Sequence, residues 1–125
     1  MPLKNPTLKV EIAGDRGLVI IKLIGEARLD VEDAQFQLDR VVVHHPKTII
    51  VDCSQLTFLS SIGMSLFVNL NRTAKKTGGT VTLCGVEPRI VESLTHARLN
   101  ELFTFQADLA AALAQAAQNP ATFSA

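Results

Sequence analysis

Apolar and charged residues alternate from the eighth position onward. Leu8, Val10 and Ile12 fall on one face of an extended chain, Lys9 and Glu11 on the other. A period of two predicts a half-buried strand over 8–13. Gly14, Asp15, Arg16 and Gly17 supply turn chemistry, and the more continuously apolar 18–24 predicts a second strand closing a hairpin. Past Gly25 the spacing lengthens. Val31, Ala34, Leu38, Val41 and Val42 set a helical period over 29–43, which His44, His45 and Pro46 end. The β-branched run 48–51 predicts a central strand buried on both faces. A helix over 61–76 ends on Lys75 and Lys76, whose charges suit a helix C-terminus, before Gly78 and Gly79. A strand over 80–84, a helix over 87–95 with Pro88 early, and a short strand over 102–105 follow. An Ala-rich helix over 106–118, with Leu109 and Leu113 four apart, comes last.

Strands alternating with helices in the order β-β-α-β-α-β-α-β-α predict an α/β fold. The fold is a single domain: a mostly parallel open sheet with an N-terminal β-hairpin, flanked by helices. The domain spans 8–118, between an N-terminal lead at 1–7 and a flexible tail at 119–125.

Composition narrows the function classes. The 125 residues carry 12 Lys plus Arg against 12 Asp plus Glu, so the basic footprint of a nucleic-acid or anionic-membrane binder is missing. Six Phe with no Trp or Tyr make a poor base-stacking surface. No run reaches the ~18 apolar residues of a membrane span, and the start lacks a signal-peptide core. Cytoplasm is therefore the expected location, with neither nucleic acid nor membrane insertion among the partners. Cys53 and Cys84 lie inside apolar runs, which favours buried free thiols over a disulfide.

No catalytic or metal constellation stands out, and no cofactor is expected. His44 and His45 sit together at a helix end and His96 is remote, which is not metal-ligand spacing. Gly78 and Gly79 follow a helix instead of opening one, so they are no phosphate loop. Glu26, Asp30 and Asp33 read as solvated positions around the first helix. Asp52 ends a third strand as in a receiver domain, but the acidic pair after the first strand and the Lys after the last are missing.

The chemistry concentrates between the third strand and the second helix, where Asp52-Cys53-Ser54 leads through Leu56, Thr57, Phe58 and Leu59 to Ser60-Ser61-Ile62-Gly63. Either Ser60 or Ser61 can cap the first amides of the helix. At 100° per residue, Ile62, Leu66, Leu70 and Ala74 form the buried stripe, with Phe67 at its edge. Ser61, Met64, Ser65, Val68 and Arg72 fall on the opposite side, where apolar Met64 and Val68 beside a serine suggest an interaction surface.

These residues resemble the core signature of STAS domains, and of bacterial anti-sigma factor antagonists among them. In that signature a strand ends in Asp-x-Ser and an apolar-Thr-Phe-apolar loop leads to Asp-Ser-Ser-Gly at a helix start. Asp52 and Ser54 match the first element, Leu56 to Leu59 the loop, Ser61 the family's phosphorylatable serine and Gly63 its glycine. The likeness continues through Lys75 to Gly79 and Leu99 to Thr104. Ser60 stands where many antagonists have Asp, and Ile62 where Ser is frequent. Gly25-Glu26-Ala27-Arg28 replaces a frequent Gly-Glu-Leu-Asp, and Arg98 takes the place of a helix-ending Gly.

The resemblance implies a protein without catalysis of its own. Ser60, Ser61, Gly63, Met64, Ser65, Val68 and Arg72 would meet an anti-sigma factor serine kinase, which phosphorylates Ser61, and a serine phosphatase would reverse it. It also leaves room for an adaptor never phosphorylated, within a lipid-transport or stress-signalling complex. The pattern is silent on oligomeric state.

Overall fold

The computed structural model describes residues 8–14, 17–28 and 31–118. Its elements are β1 (Leu8–Gly14), β2 (Leu18–Ala27), α1 (Glu32–Val42), β3 (Thr48–Leu59) and α2 (Ser61–Lys76). After them come β4 (Thr80–Cys84), α3 (Pro88–His96), a 3-10 turn (Asn100–Leu102), β5 (Thr104–Gln106) and α4 (Leu109–Ala117). Element order and fold class match the sequence reading. The hairpin turn at Asp15 and Arg16, the helix start at Leu29 and Asp30, the lead 1–7 and the tail 119–125 lie outside the described residues.

The five strands lie in the order β1-β2-β3-β4-β5. β1 pairs antiparallel with β2, and every later neighbour is parallel. A parallel sheet whose neighbours follow chain order places each same-handed crossover on one face. The packing shows it. Residues of α1, α2 and α3 join Ile21, Leu23, Ile49, Val51, Cys53 and Leu83 in the main core. The opposite face carries α4, whose Ala112 and Ala116 cover Leu18, Ile50 and Cys84.

The largest departure from the sequence reading is β3, which runs to Leu59 where a loop was expected after Asp52. The stretch pairs with β2 through an irregular ladder, shifting register between Lys22 and Ile24 and again between Gly25 and Glu26. Its buried residues, Cys53, Leu56 and Leu59, recur every third position, so no period of two marks it as a strand. The Ser54 N–H donates to Asp52 Oδ1 at 3.0 Å at the first shift. Asp52 and Ser54 thereby shape the bulge. At the other end, the 3-10 turn takes residues assigned to the last strand, and β5 begins only at Thr104. α4 likewise starts late, because Asp108 caps it by accepting from the Ala111 N–H at 2.8 Å.

Both cysteines are free and buried, Cys53 in the main core and Cys84 under α4. Burial raises the Cys53 thiol far above its ordinary range and pushes Cys84 up to about 11. A thiol in the unfolded chain ionises near ~8.5. Between that value and the native ones the unfolded chain sheds protons that the native protein keeps, so stability falls as pH rises through ~8.5. At neutral to mildly alkaline pH, iodoacetamide is expected to label neither cysteine in the native protein and both in urea. Intact mass reads the result.

Candidate functional site: the start of α2 and the groove beside it

Two adjacent serines open α2 and do different work. Ser60 is the N-cap, with extended backbone, and its hydroxyl oxygen accepts from the Gly63 N–H at 2.9 Å. The same hydroxyl donates to the Arg28 carbonyl, while the Ser60 N–H donates to the Ala27 carbonyl at 2.8 Å. Ser60 thus ties the end of β2 to the start of α2. Ser61 is exposed, and among the described residues nothing hydrogen bonds to its hydroxyl.

An aspartate at position 60 would still cap the helix, but an ionised carboxylate cannot donate to the Arg28 carbonyl. Ser60→Ala is expected to lower stability by about 0.5–2 kcal/mol through loss of the cap. Ser60→Asp is expected to recover only part of it. Urea unfolding of the three proteins measures the order.

Gly63 is buried, although the resemblance placed it on the partner face. A Cβ there would lie 2.6 Å from the Ala27 carbonyl oxygen and 2.8 Å from the Ala27 Cβ. The glycine lets the helix touch the sheet, and it lies beneath the surface. This contact rotates the stripe from its expected position. Gly63, Leu66, Phe67, Leu70, Asn71 and Ala74 face inward, and Ile62 is turned out, 49% exposed.

The outer side of α2 does gather the remaining expected residues. Ser61, Met64, Ser65, Val68 and Arg72 line one shallow groove of about 430 Å³, together with Asn69, Ala97 and Leu99. Its far wall is the turn after α3, where Arg98 holds a left-handed conformation with φ 61°. That turn is drawn in by the Leu99 N–H, which donates to the Leu94 carbonyl at 2.8 Å. Sequence reasoning missed this wall because it belongs to another element, and the period of one helix carries no trace of it. Asn69 was missed for a similar reason: its amide donates to Gln35 of α1 at 3.0 Å.

Beyond the helix start, Arg28 stacks over the Phe58 ring at 4.6 Å and forks onto Glu26 at 2.8 and 3.2 Å. The hydrogen bond holds the Glu26 carboxyl below its ordinary range and raises the Arg28 guanidinium. Phe58 remains 40% exposed, so the rim beside the serines presents an aromatic edge and a committed ion pair. Among the described residues no helix is long and apolar enough to cross a membrane, and no cluster of three potential metal ligands occurs.

A family model described as the STAS domain matches residues 9–112. The chain belongs to the STAS domain family. Among curated proteins, this STAS domain is similar to an anti-sigma F factor antagonist of Paenibacillus polymyxa. The two are 25% identical over 85 residues, 66% of this chain and 73% of that protein. Its fold is similar to an anti-sigma factor antagonist from Mycobacterium paratuberculosis, with TM-score 0.77 and 20% identity, covering 90% and 97% of the two chains. It is also similar to the Bacillus cell fate determinant SpoIIAA in its phosphorylated form, with TM-score 0.67 and 22% identity, covering 86% and 97%.

Proposed function

We propose that this STAS domain is an anti-sigma factor antagonist that binds an anti-sigma factor serine kinase along the α2 groove and is released by phosphorylation of Ser61. The division of labour between the two serines carries the reading. Ser60 spends its hydroxyl on the cap and the Arg28 carbonyl, whereas Ser61 offers an exposed, unengaged hydroxyl at the first position of the helix. In the kinase step the Ser61 oxygen bonds to the γ-phosphorus of ATP as the bond to ADP breaks. The hydroxyl proton passes to a base of the partner.

The helix tolerates the product. A phosphate adds ~1.5–2 negative charges, and the first amides of α2 together with its dipole favour an anion there. No acidic residue occupies the first turn. The partner would meet the charge unfavourably, because a surface packed on Met64 and Val68 must strip its water. Along α2 the first cation is Arg72, eleven residues on and about 16 Å along the axis. Arg28 is already held by Glu26 and Phe58.

The test is incubation with ATP and candidate anti-sigma kinases from the same organism, followed by intact mass and site mapping. One phosphate, mapped to Ser61 and absent from Ser61→Ala, supports the cycle. Binding without any phosphate transfer would replace it with a constitutive adaptor, and a phosphate mapped to Ser60 would overturn the assignment of roles.

A further inference from the structure

The two edges of the sheet are built differently. β5 is three residues long, too short to template another strand, whereas β1 presents seven residues that, among the described residues, are paired on one side only. Backbone groups on the open side of an edge strand are free to pair with a second chain. Charged side chains commonly guard such an edge. On β1 the guards come as an opposite pair: Lys9 and Glu11 lie on one face, 3.2 Å apart, with side chains 66% and 49% exposed.

We infer that β1 is the contact between two copies of this chain, paired antiparallel about a two-fold axis at Val10. The charge pattern selects this register. A two-fold axis perpendicular to the sheet keeps each face on its own side, so a residue can oppose only residues of its own face. An axis at Lys9 would set Lys9 against Lys9 of the copy, and an axis at Glu11 would set Glu11 against Glu11. The axis at Val10 opposes each Lys9 to Glu11 of the other copy, twice over, and opposite charges across a ladder stabilise it. On the other face it opposes Leu8 to Ile12 and Val10 to itself, extending the apolar side of the sheet.

A second observation bears on the same edge. Ile12 is 43% exposed although its strand neighbour Leu8 is buried. It lines an open groove of about 470 Å³ with Gly14, Val19, Arg40, Val41 and His44. In the inferred pairing Leu8 of the second copy arrives opposite Ile12 at this groove. No β1 residue lines the groove beside Ser61, so this inference stands apart from the antagonist reading.

Sedimentation equilibrium over the micromolar range tests it on the full chain, with Lys9→Glu, Glu11→Lys and the double exchange carrying both changes. Each single reversal sets like charges opposite and is expected to weaken association at least about tenfold. The double exchange restores opposite pairs and is expected to recover the wild-type affinity. Both side chains are exposed, but Glu11→Lys also meets Lys22 across the β1–β2 ladder of its own copy, so circular dichroism and a thermal melt check the fold of all three. Ser61→Glu is expected to dimerise normally. A wild type monomeric throughout, a dimer indifferent to the single reversals, or a double exchange that fails to recover would each overturn the inference.

Discussion

Phosphorylated Ser61 is expected to bind the anti-sigma partner about 30- to 4,000-fold more weakly than the unmodified protein, while melting at the same temperature or slightly above. The affinity range corresponds to ~2–5 kcal/mol, the usual cost of leaving a charge buried and unpaired at an interface. It applies if the groove formed by Met64, Ser65, Val68 and Leu99 closes against the partner, since a charge at a wet rim costs far less. The melting temperature separates this from a folding defect. Ser61 is exposed at the first helical position, where an anion contributes ~0.3–1 kcal/mol in its favour. Ser61→Glu carries a single charge and should fall at the weak end of the same range, and Ser61→Ala should bind like the wild type. Calorimetric titration beside a thermal melt reads both quantities. Weak binding with an unchanged melt supports a local electrostatic block; a lowered melt would mean that the modification acts through the fold.

The contrast between Ser60 and Ser61 shows where sequence reasoning reached its limit. Both hydroxyls suit an N-cap, and local pattern cannot say which one turns inward. The choice is made by Arg28, thirty-two positions earlier, whose carbonyl receives the Ser60 hydroxyl. Features governed by neighbours in sequence were legible. The α2 bounds follow from a capping serine and a Lys-Lys-Thr-Gly-Gly ending, and the left-handed Arg98 follows from its place at a helix end. Features governed by contact between elements were not. Ile62 is more apolar than Gly63, so a hydrophobic period assigns it to the core. The close approach to Ala27 requires the residue with no side chain, and the stripe turns to suit it. β3 failed for a related reason: its second half is held by a bulged ladder to β2 and carries little alternation of its own.

Phe67→Ala is expected to cost about 3–5 kcal/mol of stability, the range for removing a large aromatic from a packed interior. Phe67 is 1% exposed on the inner side of α2 and meets the Phe103 ring edge-on, centroids 6.1 Å apart at 81°. That geometry contributes beyond simple burial, because the positive edge of one ring faces the negative face of the other. The pair is also the strut between the two walls of the groove, since Phe103 follows the 3-10 turn after Leu99 and Phe67 precedes Val68. For a domain of this size the loss amounts to about 12–20 °C in melting temperature. Phe67→Leu keeps most of the volume and should lose markedly less. Partner affinity separates two consequences of the cavity. If α2 settles into the space, Met64 and Val68 move with it, and Phe67→Ala should weaken binding even at temperatures where it is fully folded. If the cavity stays open and the walls hold, affinity measured well below the melt should match the wild type, and the groove is then set by the backbone contacts at Ser60, Gly63 and Leu99 alone.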